Sequence, residues 1–129
     1  MKLNTLPDKA KTQESLRLYK EALHCFQKSL EIDSEQPEVL ERIEETNGNI
    51  RFCEYIIDKH EILSLYEKFC KLDKKDIINN KDVSELEEKL RKIISNFPND
   101  IEAIVMLQKV FISSNRLDEV SKIKIPKYD

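Results

Sequence analysis

Residues 18–40 read LYKEALHCFQKSLEIDSEQPEVL, and this stretch decides the fold. Together with Leu16 just before it, Tyr19, Leu23, Phe26 and Leu30 recur at steps of three and four residues. At about 3.6 residues per turn that spacing puts them on one side of a helix, predicted over 12–33 with Phe26 buried between helices. Ser34 breaks the pattern. Pro37 then opens a second helix, where its missing amide hydrogen costs nothing because first-turn N–H groups have no partner within the helix. That second helix is expected over 37–47, burying Val39, Leu40 and Ile43. Gly48 is expected to end it by entering the left-handed conformation.

Working outward, 50–72 is again helical. Ile50, Cys53 and Ile57 form one stripe, and Ile62, Leu65, Tyr66 and Phe69 another. Asp58-Lys59-His60-Glu61 interrupts the apolar pattern without glycine or proline, which leaves open one long helix or two short ones. Residues 73–82, DKKDIINNKD, read as a loop. Asp82-Val83-Ser84-Glu85 resembles a capping box. Val83, Leu86, Leu90, Ile93 and Phe97 mark a helix that stops before Pro98. Ala103, Ile104, Leu107 and Phe111 mark another over 100–114, with Asn115 as a turn residue. A last, weak helix over 117–125 ends at Pro126. The expectation is an all-α chain of six or seven antiparallel helices joined by short loops, forming a single domain over 1–129 with a loop or insertion at about 73–82.

Composition supports that reading. The chain has 129 residues, 40% of them hydrophobic and 36% charged, with a single glycine. One glycine argues against hairpin-rich β folds, which need positive-φ turns, and against glycine-rich phosphate loops. The net charge of −3 comes from 22 basic and 25 acidic residues mixed along the chain. A nucleic-acid binder usually carries a basic surplus to neutralise phosphates, so no nucleic-acid partner is expected. Lys74-Lys75, Lys89-Arg91-Lys92 and Lys122-Lys124-Lys127 read as solvated helix faces. Cys25, Cys53 and Cys70 are odd in number and widely spaced, which fits reduced core thiols better than a disulfide framework. No stretch approaches the roughly 20 apolar residues of a membrane span, and the N-terminus lacks the apolar run of a signal peptide. A cytoplasmic or nuclear protein with no membrane partner is expected.

Alanine, phenylalanine and proline recur because stacked helical hairpins need a small residue at a close crossing, a large one a turn later, and a breaker between hairpins. Ala22, Phe26 and the break from Ser34 to Pro37, with Tyr19, Lys28, Leu30, Ile32 and Asp33, resemble the second helix of a tetratricopeptide repeat. The family's usual proline falls at Ser34, a departure. Leu86, Leu90 and Pro98 repeat the spacing of Ala22, Phe26 and Ser34 with the proline present. Ile104, Leu107, Gln108 and Phe111 resemble the family's first helix, and Asn115 to Val120 the following turn and helix start. The resemblance covers roughly 16–47 and 83–120; Leu86 and Val120, where alanine is usual, depart from it. It implies a short, divergent α-solenoid that begins and ends within a repeat and completes itself against another chain. A plain helical bundle would show the same periodicity.

The residues offer little chemistry. His24 and Cys25 are adjacent and so point about 100° apart on a helix, which does not make a nucleophile–base pair. Cys53, His60 and Cys70 lack the close pairs of zinc sites, so no metal and no cofactor is expected. Paired acids such as Glu44-Glu45 and Glu87-Glu88 read as exposed helix residues. With no phosphate loop or nucleophile elbow in the sequence, an enzyme is not expected.

Function then rests on the resemblance, which implies a concave groove for a peptide or a partner helix. Carried over residue by residue, its positions are Glu38, Glu41, Arg42 and Glu45 on one helix. On another they are Glu102, Val105, Met106, Lys109 and, at the apolar end, Ile112. Chaperone-binding members of the family hold a carboxylate in this groove with lysine and asparagine; Glu41 and Glu45 would repel one. The expected function is a protein–protein interaction scaffold or adaptor, a segment or subunit of a larger assembly, for a basic and amphipathic partner. The alternative is an accessory or regulatory domain of an enzyme whose catalytic part lies elsewhere. Far-ultraviolet dichroism should show helix well above the roughly 35% of an average domain. A strand-dominated spectrum would end the reading.

Overall fold

The computed structural model describes residues 6–125, so the expected stop at Pro126 lies outside them. The described residues are 79% helix and contain no strand. Six helices follow in order: α1 (Lys9–Ile32), α2 (Pro37–Cys70), α3 (Lys74–Ile77), α4 (Lys81–Asn96), α5 (Ile101–Ser113) and α6 (Leu117–Val120). Two of them, α3 and α6, are single turns, so the helix expected over 117–125 shrinks to four residues. The chain divides into two compact units, Met1–Ile57 and Asp58–Asp129, with the division inside α2.

In the first unit the Asp8 carboxylate accepts the Lys11 amide at 3.0 Å and so caps α1. At the other end Gln36 Nε2 donates to the Ser29 carbonyl at 2.9 Å and the Asp33 carbonyl at 2.6 Å. One side chain thus satisfies the Asp33 carbonyl and adds a second donor to the Ser29 carbonyl, which already accepts the Asp33 amide at 3.1 Å, and it fixes the turn before Pro37. The buried residues of this unit are Thr12, Thr46, Ile50, Cys53 and Ile56.

The expected core of this unit is only partly enclosed. Leu16, Tyr19, Leu23, Phe26 and Leu30 are half-buried, as are Val39 and Ile43, and Leu40 is exposed. The reason is size. A unit built from two helical segments covers each apolar stripe from one side only, and a small unit buries a small share of its surface.

Gly48 departs from expectation in a different way. It lies within α2, which runs unbroken from Pro37 to Cys70, and no glycine has a positive φ. The helix expected to end at 47 and the one expected from 50 are therefore one, and the question at residues 58–61 resolves the same way. A glycine costs a helix interior about 1 kcal/mol. Once a helix is nucleated, propagation through one poor residue outweighs that cost.

In the second unit α4 and α5 pack as a helical hairpin, and α6 packs on α5. Val83, Leu86, Leu90 and Ile93 on α4 are buried, as are Ala103, Ile104, Met106, Leu107, Val110 and Phe111 on α5. Ile62, Leu65 and Phe69 of α2 and Ile77 of α3 complete the core. Phe97, expected on the α4 stripe, is exposed at its C-cap.

Asparagines shape the connections. Asn79 and Asn115 adopt φ of 64° and 59°, the left-handed region that asparagine tolerates better than most residues. Asn80 caps α4, its side-chain oxygen accepting the amides of Asp82 at 2.9 Å and Val83 at 3.2 Å. The capping box expected at 82–85 is displaced because Asn80 already occupies that role two residues earlier.

Gly48→Ala tests the continuous helix. A Cβ at Gly48 would meet nothing within 4 Å. The substitution should stabilise the protein by roughly 0.5–1 kcal/mol and raise the melting temperature slightly. A clear drop in melting temperature would mean that Gly48 sits in a left-handed turn.

Candidate functional site

The sequence break at Asp58-Lys59-His60-Glu61 is where the second unit concentrates its ion pairs. Lys59 is 1% exposed and Asp100 is 5% exposed, and the Lys59 ammonium reaches both carboxylate oxygens of Asp100 at 3.2 and 3.1 Å. Asp100 also accepts the Ala103 amide at 3.1 Å as the N-cap of α5. One carboxylate therefore starts α5 and ties it to α2. Glu102 Oε1 lies 3.6 Å from the same ammonium. That oxygen is buried without a hydrogen-bond donor among the described residues.

Two more bridges join the same stretch to α4. Lys89 contacts Glu61 at 2.7 Å, and Lys92 contacts Asp58 at 3.3 Å. The hydrogen bond to Glu61 raises the Lys89 pKa against the opposing effect of desolvation, with Glu61, Asp58 and Glu85 adding attraction. Lys89 therefore keeps its charge to higher pH than a free lysine.

This pair escaped the sequence reading, although a signal was present. Lys59 stands three residues after Ile56 and three before Ile62, on the line of an apolar stripe. A lysine there needs a buried counter-charge. What the sequence does not show is that the counter-charge lies 41 residues downstream.

The expected groove residues fall in both units, and each set is described within its own. Glu38, Glu41, Arg42 and Glu45 are exposed on the first turns of α2. On α5, Val105, Lys109 and Ile112 are exposed, and with Ile101 they share one face at helical spacing. Two expectations are corrected there. Met106 is buried and cannot offer an exposed anchor, because it points about 140° away from Ile101 around the helix. Glu102 is half-buried against Lys59 rather than open to a partner.

Beside α5 lies a cleft of about 420 Å³ lined by Ile94, Pro98, Leu107, Phe111, Glu119 and Lys122, among others. The Phe111 ring has the Arg116 guanidinium carbon 4.8 Å and the Arg91 guanidinium carbon 5.2 Å from its centroid. Glu87 pairs with both arginines, and Glu119 pairs with Arg91. These pairs neutralise the cations where they stack, so the cleft wall is closed by cation–π contact rather than left charged.

The thiols differ from expectation. Only Cys53 is buried, and burial pushes its pKa up, with the neighbouring Glu54 adding to the effect. Cys25 and Cys70 are exposed. No group of three or more His, Cys, Asp or Glu residues able to hold a metal occurs among the described residues. No helix among them is long and apolar enough to cross a membrane. Comparison with protein-family models, curated proteins and solved structures finds no match to this chain.

The buried pair has a testable energetic signature. Lys59→Met alone strands the Asp100 carboxylate, and Asp100→Asn alone strands the ammonium. Each should cost about 3–5 kcal/mol in chemical unfolding. The double variant should lose less than the sum of the two, because the pair leaves as a unit and only the part-exposed Glu102 carboxylate then lacks its counter-charge. Simple additivity would mean that the two groups do not interact.

Proposed function

We infer that this chain is a protein–protein interaction scaffold or adaptor that works as part of a larger assembly. In this reading α4 and α5, with the turn of α6, act as a divergent tetratricopeptide-like hairpin. A single observation supports it most: α5 is apolar on two sides. Six of its residues are buried, yet Ile101, Val105 and Ile112 remain 39%, 41% and 55% exposed along one face. A helix apolar nearly all round is normally covered all round. Its open face is suited to apolar anchors of a partner peptide or helix. In the first unit, the acidic row of Glu38, Glu41 and Glu45 is a separate surface suited to basic residues, whose approach it would speed.

The test is capture of co-purifying proteins by the full chain, identified by mass spectrometry. Val105→Asp with Ile112→Asp should abolish their recovery while changing unfolding by no more than about 0.5 kcal/mol per site, since both residues are at the surface. Glu88→Lys, on the exposed side of α4, should recover them all. Recovery unchanged in the double variant would place the partner on a different face.

A further inference from the structure

In α1 a second pattern runs beside the half-buried stripe. Ser15, Leu18, Ala22, Cys25, Ser29 and Ile32 follow at steps of three, four, three, four and three. That is the spacing of a seam between two helices wound together. At about 100° per residue, the seam is turned roughly 100° from the middle of the half-buried stripe. Its two large members are open to solvent, Leu18 at 50% and Ile32 at 89% exposed; the Cys25 thiol is exposed too, while Ser15, Ala22 and Ser29 are half-buried.

We propose that α1 pairs antiparallel with α1 of a second copy of this chain along this seam. The residue sizes favour a second copy over an unrelated helix. In an antiparallel pair the outer small positions of one helix face the large positions of the other. Ser15 then meets Ile32, Leu18 meets Ser29, and Ala22 meets Cys25, with the two-fold axis between residues 23 and 24. The outer layers, Ser15 with Ile32 and Leu18 with Ser29, each hold one large and one small side chain, and the central Ala22–Cys25 layers hold two small ones, so the helix axes approach closely. Such self-complementarity is what a two-fold interface requires.

The charges agree. In this register Glu21 of one helix comes level with Lys28 of the other, offset by about 3 Å along the axis. The two-fold axis makes that pair twice. Among the described residues of one chain Glu21 bridges to Arg17, and both side chains of that bridge are 61% exposed. On the opposite flank Tyr19 and Phe26 are uncharged. Glu14, the outermost charge on the Glu21 flank, comes level with residues 33–36, where the chain has already left the helix.

The experiment uses the full chain, with folding of each variant checked by dichroism. Sedimentation equilibrium should show a species of twice the 15.3 kDa chain mass. Glu21→Lys alone, which sets like charges opposite each other twice, should raise the dimer dissociation constant by roughly tenfold. Glu21→Lys combined with Lys28→Glu should restore it. In a Cys70→Ser background, Ala22→Cys should cross-link to Cys25 of the second copy under mild oxidation, and Lys20→Cys on the outer face should not. A chain that stays monomeric at every attainable concentration overturns the proposal and leaves the seam to a different partner. A dimer indifferent to the charge exchange, or one that cross-links equally through Lys20→Cys, overturns it as well.

Discussion

The carboxylate of Asp100 organises the second unit. It caps α5 and holds the buried Lys59 ammonium, so the start of one helix and the middle of another are fixed by a single group. A charge buried to this degree is tolerable only when it is paired and hydrogen-bonded, and the geometry meets both conditions. The pair need not add net stability over an apolar substitute. Its effect is to make alternative registers of α5 against α2 costly, because any slip would strand both charges in an apolar core. The Glu61–Lys89 and Asp58–Lys92 bridges on the neighbouring turns act in the same sense at lower stakes, being more exposed.

Around that anchor the two units differ in how much apolar surface they enclose. In the second, the inward sides of α4 and α5 are fully buried, and Phe111 is closed over by two arginines that glutamates neutralise. In the first, α1 has a single buried residue, Thr12. Its apolar stripe is half-covered, and Leu18 and Ile32 are uncovered. Exposed aliphatic side chains are ordinary when scattered, but rows at helical spacing form continuous apolar surface, the kind proposed above to associate. The outer face of α5 and the seam of α1 are two such rows, on different units and of different chemistry. The α5 row is aliphatic at Ile101, Val105 and Ile112, with Lys109 among them, and suits apolar anchors. The α1 row is small at its centre and large toward its ends, with charges along one flank, which suits close approach of a matching helix.

The helical character of the chain was legible from residues 18–40 onward. Period and breakers alone place α1, α4 and α5, because the buried sides of α4 and α5 are long and strongly periodic. Asn115 could be read as a turn residue because few other side chains enter the left-handed region easily. Gly48 misled for the complementary reason. Glycine permits a turn without requiring one, and nothing local reveals that the helix continues on both sides. Of the residues that the resemblance assigns to a groove, Val105 and Ile112 are exposed. Met106 is not, since one residue's shift along a helix turns a side chain by about 100°.

By itself, the sequence determined the all-helical class, the placing of α1, α4 and α5, and the apolar stripes, since each follows from local propensity and periodicity. Only the tertiary structure decided which stripes are enclosed, which thiol is buried, and that Lys59 meets Asp100. Those outcomes depend on which distant segment supplies the covering surface or the counter-charge. Contact across 41 residues leaves no periodic trace in either segment.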